Sequence, residues 1–410
     1  MHGTHQNPSP NRLFLHLYLI LTGSGLFFDP YNLNFNTKSR LLMKNVFIFS
    51  IIYRNLTILI TSLDLSRLYC IGFLLGNAFV FQILSGVTLS FIYMSLEAYN
   101  GYYCVLAIPD FSKGFLVRSM HITGTSACFA LLYAHIFKIF YTAILFNSGW
   151  LPAVLGVIIY FLVVVIAFIG YVLPLSQMSF WGLTVFSNII SAVPVVGILI
   201  CKWLWGGEFI QDFTMTKVFS LHVFLPFVLI MLFLAHILSL HTSLSSETLE
   251  DRFSFYAERM IFTTFFLYRD AFTLFLLIIV LSYMIVIYWD FVFHEESFEF
   301  TNVLKTPDKI IPEWFFLTFF GFIKCIPDKL GGLIVLIMAI IALVLSPVYI
   351  VSLLGFFPLK AINVSTVGVI FISLSIIGKL STNVVLCFPM LDYLQGLVMF
   401  YLYYMLLKVI

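Results

Sequence analysis

The sequence predicts an all-α membrane protein with eight transmembrane helices, the first four gathered into a bundle. Three observations predict it. Hydrophobic residues make up 61% of the 410 and charged residues only 10%, where a soluble domain carries roughly 25% charge. So few charges cannot cover a water-facing surface. Charge-free apolar runs long enough to cross a bilayer, about 20 residues, recur along the chain. Four histidines fall inside such runs at one repeated spacing.

The runs place the spans in order. The first is 68–96 and the second 119–137, the latter bounded by Arg118 and Lys138. Residues 139–201 carry no Asp, Glu, Lys or Arg and are too long for one span. Pro152, Pro174 and Pro194 divide this stretch, since proline breaks or kinks helices. It reads as a span at 151–173 followed by a re-entrant or interfacial stretch at 174–185. Further spans are 218–246, 271–289, 330–359, 361–378 and about 388–407. The polar stretch 290–312 is the main loop. Residues 13–28 and 46–63 read either as interfacial helices or as a ninth span.

The composition excludes several classes. A net charge of +2 offers no basic patch for nucleic acid. The six cysteines are scattered without a Cys-x-x-Cys pair, so neither a disulfide framework nor a zinc site is read. No cleavable signal or Arg-rich transit peptide is recognisable, which suits synthesis inside an organelle or direct insertion in a bacterium.

His121 and His135 are 14 residues apart in the second span; His222 and His236 are 14 apart in the fourth. Fourteen residues make nearly four helical turns, so each pair shares one face with about 21 Å between its members. Two such helices face to face make two His–His levels. A single intramembrane histidine is more often an interhelical hydrogen bond, and a metal-ion or proton pathway is a further reading. Two pairs with identical spacing favour bis-imidazole ligation of two haems. Gly72 and Gly86, and Gly156 and Gly170, repeat the spacing on two other spans. One glycine of each pair then falls at each level, where a missing side chain admits a flat macrocycle. Tight helix packing is the alternative. Arg118 and Lys138, one turn outside the histidines, are either partners of haem propionates or cations snorkelling to the interface.

An ordered set of motifs extends this reading. Arg118-Ser-Met-His121, the stretch Gly170-Tyr-Val-Leu-Pro-Leu-Ser-Gln-Met-Ser-Phe-Trp-Gly182, Trp205-Gly-Gly207, the second histidine pair, Pro312-Glu-Trp-Phe315 and Ile326-Pro-Asp-Lys-Leu-Gly-Gly332 follow one another. Together they resemble cytochrome b of the mitochondrial and bacterial quinol–cytochrome c reductase, respiratory complex III. The resemblance runs from about Gly72 to the last span and leaves residues 1–65 as a divergent N-terminal extension. It implies a dihaem core over 66–246 and a C-terminal four-helix part with a quinol-site loop over 247–410.

What the resemblance implies is a ubiquinol–cytochrome c reductase coupled to proton translocation. His121 and His222 would ligate the low-potential b haem, and His135 and His236 the high-potential one. Arg118, Lys138 and Lys217 would meet propionates. An outer quinol site would include Tyr171, Leu183, Pro312, Glu313, Trp314 and Phe315, and an inner quinone site His241, Ser245 and Asp270. One electron would go to a Rieske iron–sulfur subunit and on to a c-type cytochrome subunit; the other would cross both haems to the inner site. Other complex III subunits, a homodimeric assembly and the mitochondrial inner membrane, or alternatively a bacterial plasma membrane, complete the expectation. Glu313 is a lone carboxylate in an apolar run, either a buried proton acceptor or a helix cap. Asp270 is either a proton donor to quinone or a helix-start acid.

The chain departs from the family pattern in several places. Phe315 stands for a usual tyrosine, Leu175 and Ser176 for tryptophan and glycine, and Lys138 and Lys217 for arginines. Leu183 replaces a small residue and is expected to narrow the outer pocket and resist inhibitors that wedge there. The photosynthetic counterpart splits into two chains with a wider second histidine spacing, so the respiratory version is favoured. A simpler dihaem anchor would lack the Pro-Glu-Trp loop. A haem-free transporter would place acids beside the histidines.

Overall fold

The structure is a computed structural model that describes residues 60–62, 65–96, 108, 113–142, 150–242, 259–288, 295–324, 326–349, 357–380 and 396. Two units are distinguished: Met1–Thr61 with Met260–Phe265, and Ser62–Arg259 with Phe266–Ile410. Short strands β1 (Ile60–Ser62) and β2 (Arg259–Ile261) pair as a two-stranded sheet. The end of the 46–63 run is therefore extended, not helical. Segment 13–28 lies outside the described residues.

The rest of the described chain is helical. α1 (Cys70–Ser90), α2 (Gly114–Thr142) and α3 (Trp150–Val172) are followed by two shorter helices, α4 (Gln177–Ile190) and α5 (Gly197–Trp205). Then come α6 (Asp212–Thr242), α7 (Phe262–Ile287), α8 (Leu317–Lys324), α9 (Lys329–Tyr349) and α10 (Phe357–Lys379). Among the described residues five helices are long and apolar enough to cross a membrane: Arg67–Ser90, Gly114–Ile139, Leu151–Val172, Asp212–His241 and Phe265–Ile287. The runs at 330–359 and 361–378 appear as α9 and α10, and the one near 388–407 is outside the described residues. Many large apolar side chains on these helices are exposed, including Met231, Ile278 and Val369. That surface suits lipid, because no water competes there.

Helix starts differ from the charge-free runs. α2, α6 and α7 begin well before 119, 218 and 271, because a charged residue that finds a partner in the folded chain does not stop the helix. Arg269 is the clearest case: its Nη1 donates to the Leu65 carbonyl at 2.6 Å. Asp270 consequently sits inside α7 and not at its start, so the helix-start reading of this acid is corrected.

α1 packs on α2, α3 on α6, and α6 also touches α1. Between them lies an apolar layer: Leu75 and Phe79 of α1, Phe129, Leu132 and Tyr133 of α2, Ile159, Tyr160 and Val163 of α3, and Leu229 of α6. In sequence, every one of these residues falls between the two histidine positions, or the two glycine positions, of its helix. The layer therefore separates the two levels. α8 packs on α9 and α10, while α10 touches α2 and α9 touches α3. α5 ends on Gly206, whose φ of 75 places it in the left-handed region and whose N–H bonds the Lys202 carbonyl, a helix stop that glycine makes without steric cost.

Candidate functional site

The rings of His121 and His222 face each other across α2 and α6, with centroids 6.2 Å apart and planes at 84°. Their outer nitrogens are tied down. His222 Nδ1 lies 3.0 Å from the Ile166 carbonyl. A carbonyl only accepts, so Nδ1 carries the proton and Nε2 is left as the lone-pair nitrogen. His236 Nδ1 donates in the same way to the Pro152 carbonyl at 2.8 Å. His121 Nδ1 is 2.8 Å from Ser85 Oγ, and that hydroxyl is already placed to donate to the carbonyls of Phe81 and Gln82. Ser85 thus accepts from His121, again leaving Nε2 bare. The His135 Nδ1 is buried without a hydrogen-bond partner among the described residues.

Each histidine ring lies against a glycine. A Cβ added to Gly170 would stand 2.5 Å from His222 Cε1, and one on Gly86 3.1 Å from His121 Cε1. The corresponding distances are 3.4 Å from Gly156 to His236 and 3.5 Å from Gly72 to His135. The glycines therefore make room for the imidazole rings. Backbone position at His121 is held as well: Gln82 Nε2 donates to the His121 carbonyl at 2.9 Å and to Thr125 Oγ1 at 2.6 Å.

A mostly apolar cavity of about 260 Å³ opens on the first level. Its wall includes His121, His222, Gly86, Gly170 and Arg118, and also Tyr171, Ser297, Glu313 and Phe315. Glu313 precedes a 3-10 turn, Trp314–Phe316, but its side chain makes no cap hydrogen bond. The capping alternative therefore lacks its bond. Burial pushes the Glu313 carboxyl up to about 7, because a charged carboxylate is poorly solvated there. Tyr171 lies within electrostatic reach of Glu313, and its hydroxyl is buried without a hydrogen-bond partner among the described residues. Phe315 stacks on Phe129 at 4.1 Å with planes 4° apart, and its carbonyl accepts from Tyr133 Oη at 2.6 Å.

Other expected residues sit elsewhere. Leu183 is 2% exposed in a core with Val172, Leu175 and Met215, and it is not among the residues bounding the cavity. The reason is that α4 turns this face onto α3 and α6, so Leu183 fills core space and does not narrow the pocket directly. Pro312 and Trp314 are also outside the cavity wall; Trp314 is 43% exposed, its Nε1 3.4 Å from Ser126 Oγ. Lys138 lies 3.7 Å over the Tyr69 ring. Lys217 donates to the Trp203 carbonyl at 2.6 Å, which directs it to α5. Arg118 is buried, 5.5 Å from the Phe298 ring.

Of the expected inner residues, His241 ends α6 and Asp270 is buried in α7. Ser245 lies outside the described residues. Asp270 lies within electrostatic reach of Cys70 and Arg269, and its Oδ1 has no hydrogen-bond partner among the described residues. Cys70, Cys128 and Cys201 are free and buried. Among the described residues no three or more His, Cys, Asp or Glu gather as a metal cage. His121 and His222 stand instead as a facing pair.

Comparison with known sequences decides the family. The profile described as cytochrome b/b6/petB matches residues 56–244, and that described as cytochrome b(C-terminal)/b6/petD matches 300–403. Cytochrome b of Trypanoplasma borreli is 45% identical over 344 residues, 84% of this chain and 92% of that one. The chain belongs to the cytochrome b family. Cytochrome b of Leishmania tarentolae is 47% identical over 298 residues, covering 73% of this chain and 80% of that one. Cytochrome b of the fungus Podospora anserina is 36% identical over 288 residues, 70% and 73% of the two chains. The fold is also that of a chain of a hyperthermophilic respiratory complex III, with a TM-score of 0.79 at 23% identity over 90% of this chain and 98% of the other. Cytochrome b membership implies b-type haem and makes this a membrane-embedded protein of respiratory electron transport. The residues fit that group: His121 and His222 face each other in apolar surroundings, and the three rings whose Nδ1 is engaged leave Nε2 free for iron.

Proposed function

We propose that this chain is the dihaem subunit of a ubiquinol–cytochrome c oxidoreductase of the mitochondrial inner membrane, with eight spans and a haem-holding bundle of α1, α2, α3 and α6. The observation that carries the proposal is the opposition of His121 and His222 in a cavity that also contains Glu313. His121 with His222, and His135 with His236, would hold the two haems. When bound, the haems supply a one-electron path between an outer quinol site and an inner quinone site.

The chain's own residues do the rest. The apolar walls around Phe315 and Phe129 admit a quinol ring and exclude water. Glu313, with its carboxyl raised to about 7 by burial, accepts a proton from the quinol hydroxyl and releases it outward. Arg118, in the same wall, offers a cation to an acidic haem edge. Lys138 keeps a similar role at the second level, whereas the Trp203 contact of Lys217 argues against one. Asp270, with an unpartnered oxygen, together with His241 and Ser245, forms the inner site. The remaining electron leaves to an iron–sulfur subunit and a c-type cytochrome in a homodimeric complex.

A reduced-minus-oxidised spectrum with redox titration tests this. The wild-type complex should show two b-type components of different potential, and His222→Leu should abolish one and stop quinol oxidation. A single component in the wild type, or two in the variant, would overturn the assignment.

A further inference from the structure

The first turn of α4 faces two ways. Ser176 and Ser179 belong to the cavity wall, while Gln177, only 4% exposed, turns to residues 299–305. Gln177 Nε2 donates to the Lys305 carbonyl at 2.6 Å. Its Oε1 accepts from the Asn302 amide at 2.7 Å. Its backbone N–H, an orphan donor at a helix N-terminus, donates to the Glu299 carbonyl at 3.1 Å. Both ends of the side-chain amide and the main-chain amide thus go to one loop. Ser176 pairs with Phe300 as an isolated antiparallel bridge, and the Thr301 hydroxyl donates to the Leu175 carbonyl.

On the cavity side the connection continues. Ser179 Oγ donates to the Tyr171 carbonyl at 2.8 Å, so the Ser176 hydroxyl donates to Ser179 Oγ at 3.0 Å. This joins the end of α3 to the start of α4. The loop that Gln177 grips begins with Ser297 and leads to Glu313, both in the cavity wall. The wall is therefore built from chain segments far apart in sequence, and Gln177 fastens the loop to the helices.

We propose that Gln177 is a positioning residue for quinol oxidation: by binding residues 299–305 to the first turn of α4, it holds Ser297 and Glu313 in the cavity wall. The inference rests on the reading of this cavity as the quinol site. Gln177 touches no reacting atom; it acts through the loop. Its two side-chain bonds are separable. A glutamate at 177 still accepts from the Asn302 amide but cannot donate to the Lys305 carbonyl, whereas a leucine of similar size does neither.

The test uses the purified whole complex with Gln177→Leu and Gln177→Glu. Hydrogen exchange is followed at peptides covering 299–305, together with quinol oxidation kinetics and the haem spectrum. In the leucine variant the Asn302 amide exchanges on the order of tenfold faster, the loss of one hydrogen bond. KM for quinol rises by about the same factor, more than kcat falls, and both b-type bands keep their positions. The glutamate variant keeps the Asn302 protection and shows a smaller rise in KM. A role confined to assembly would instead lower complex yield and kcat together with KM unchanged, and that result overturns the proposal. Unchanged Asn302 exchange in the leucine variant overturns it too. If exchange responds as stated but the wild-type complex oxidises no quinol, the reading of the cavity falls while the tether between loop and helix stands.

Discussion

The two histidine levels share spacing and residue types, yet their surroundings differ. At the first level the rings of His121 and His222 stand beside a cavity of about 260 Å³, and the glycines opposite them leave the least room, 3.1 and 2.5 Å for an added Cβ. At the second, the glycines opposite His135 and His236 leave 3.5 and 3.4 Å, ordinary or nearly ordinary contact. The nitrogens differ as well. His121 leans on the Ser85 hydroxyl, His222 and His236 on carbonyls, and His135 on no described partner. A repeated sequence pattern therefore builds two levels of unequal tightness. On the proposed dihaem reading, that inequality is what lets two haems differ in potential.

The largest effect that can break this comparison comes from the glycines. Gly170→Ala should displace His222 and cost about 1–3 kcal/mol as overpacking, with loss of the first-level haem signal. Gly72→Ala should leave haem content and thermal stability near wild type. Equal damage from the two substitutions, read by haem stoichiometry and melting temperature, would remove the claimed asymmetry.

A smaller effect concerns the cavity, which belongs to the first level. Above pH about 7 the Glu313 carboxyl is ionised and can accept a proton; below it the group is protonated and cannot. Quinol oxidation should therefore rise with pH through this window. In Glu313→Gln the rise should vanish and the rate fall by about 10²-fold, the usual scale of a lost general base. A Glu313→Gln enzyme with the wild-type pH profile would assign the titration to another group.

The smallest effect is at Ser85. In Ser85→Ala the Nδ1–H of His121 loses its acceptor, the imidazole donates less to iron, and the ferric state is less stabilised. The first-level haem should become easier to reduce, by about 1 kcal/mol, with the second-level potential unchanged. Potentiometric titration reads both at once, and a shift in the second component instead would exchange the assignments.

The histidine and glycine positions were legible because helical periodicity alone sends residues 14 apart to one face. Membrane embedding was legible because solvent dictates composition. Helix starts were less so: Arg269 and Asp270 interrupt an apolar run, but the Leu65 carbonyl that accommodates Arg269 comes from a distant segment. The position of Leu183 depends on which face α4 turns to the core, which residue type does not settle. Ser85 was hidden because a serine in an apolar helix usually bonds its own backbone; here it does so and accepts from His121 as well. Gln177 could not be read at all, since its partners lie more than a hundred residues away.

Leu175 carries a φ of 44, the left-handed region, at the bend between α3 and α4. A non-glycine residue there gives up roughly 1–2 kcal/mol. Its side chain is fully buried with Val172, Met215 and Val218, and burying a leucine is worth about 1.5–3 kcal/mol. The bend is thus held by its core and against its own backbone preference. Its angle becomes a mechanical readout of that core: trimming Met215 or Val218 would let the bend relax and move Pro174 and Ser176, so residues outside the cavity set the shape of its rim.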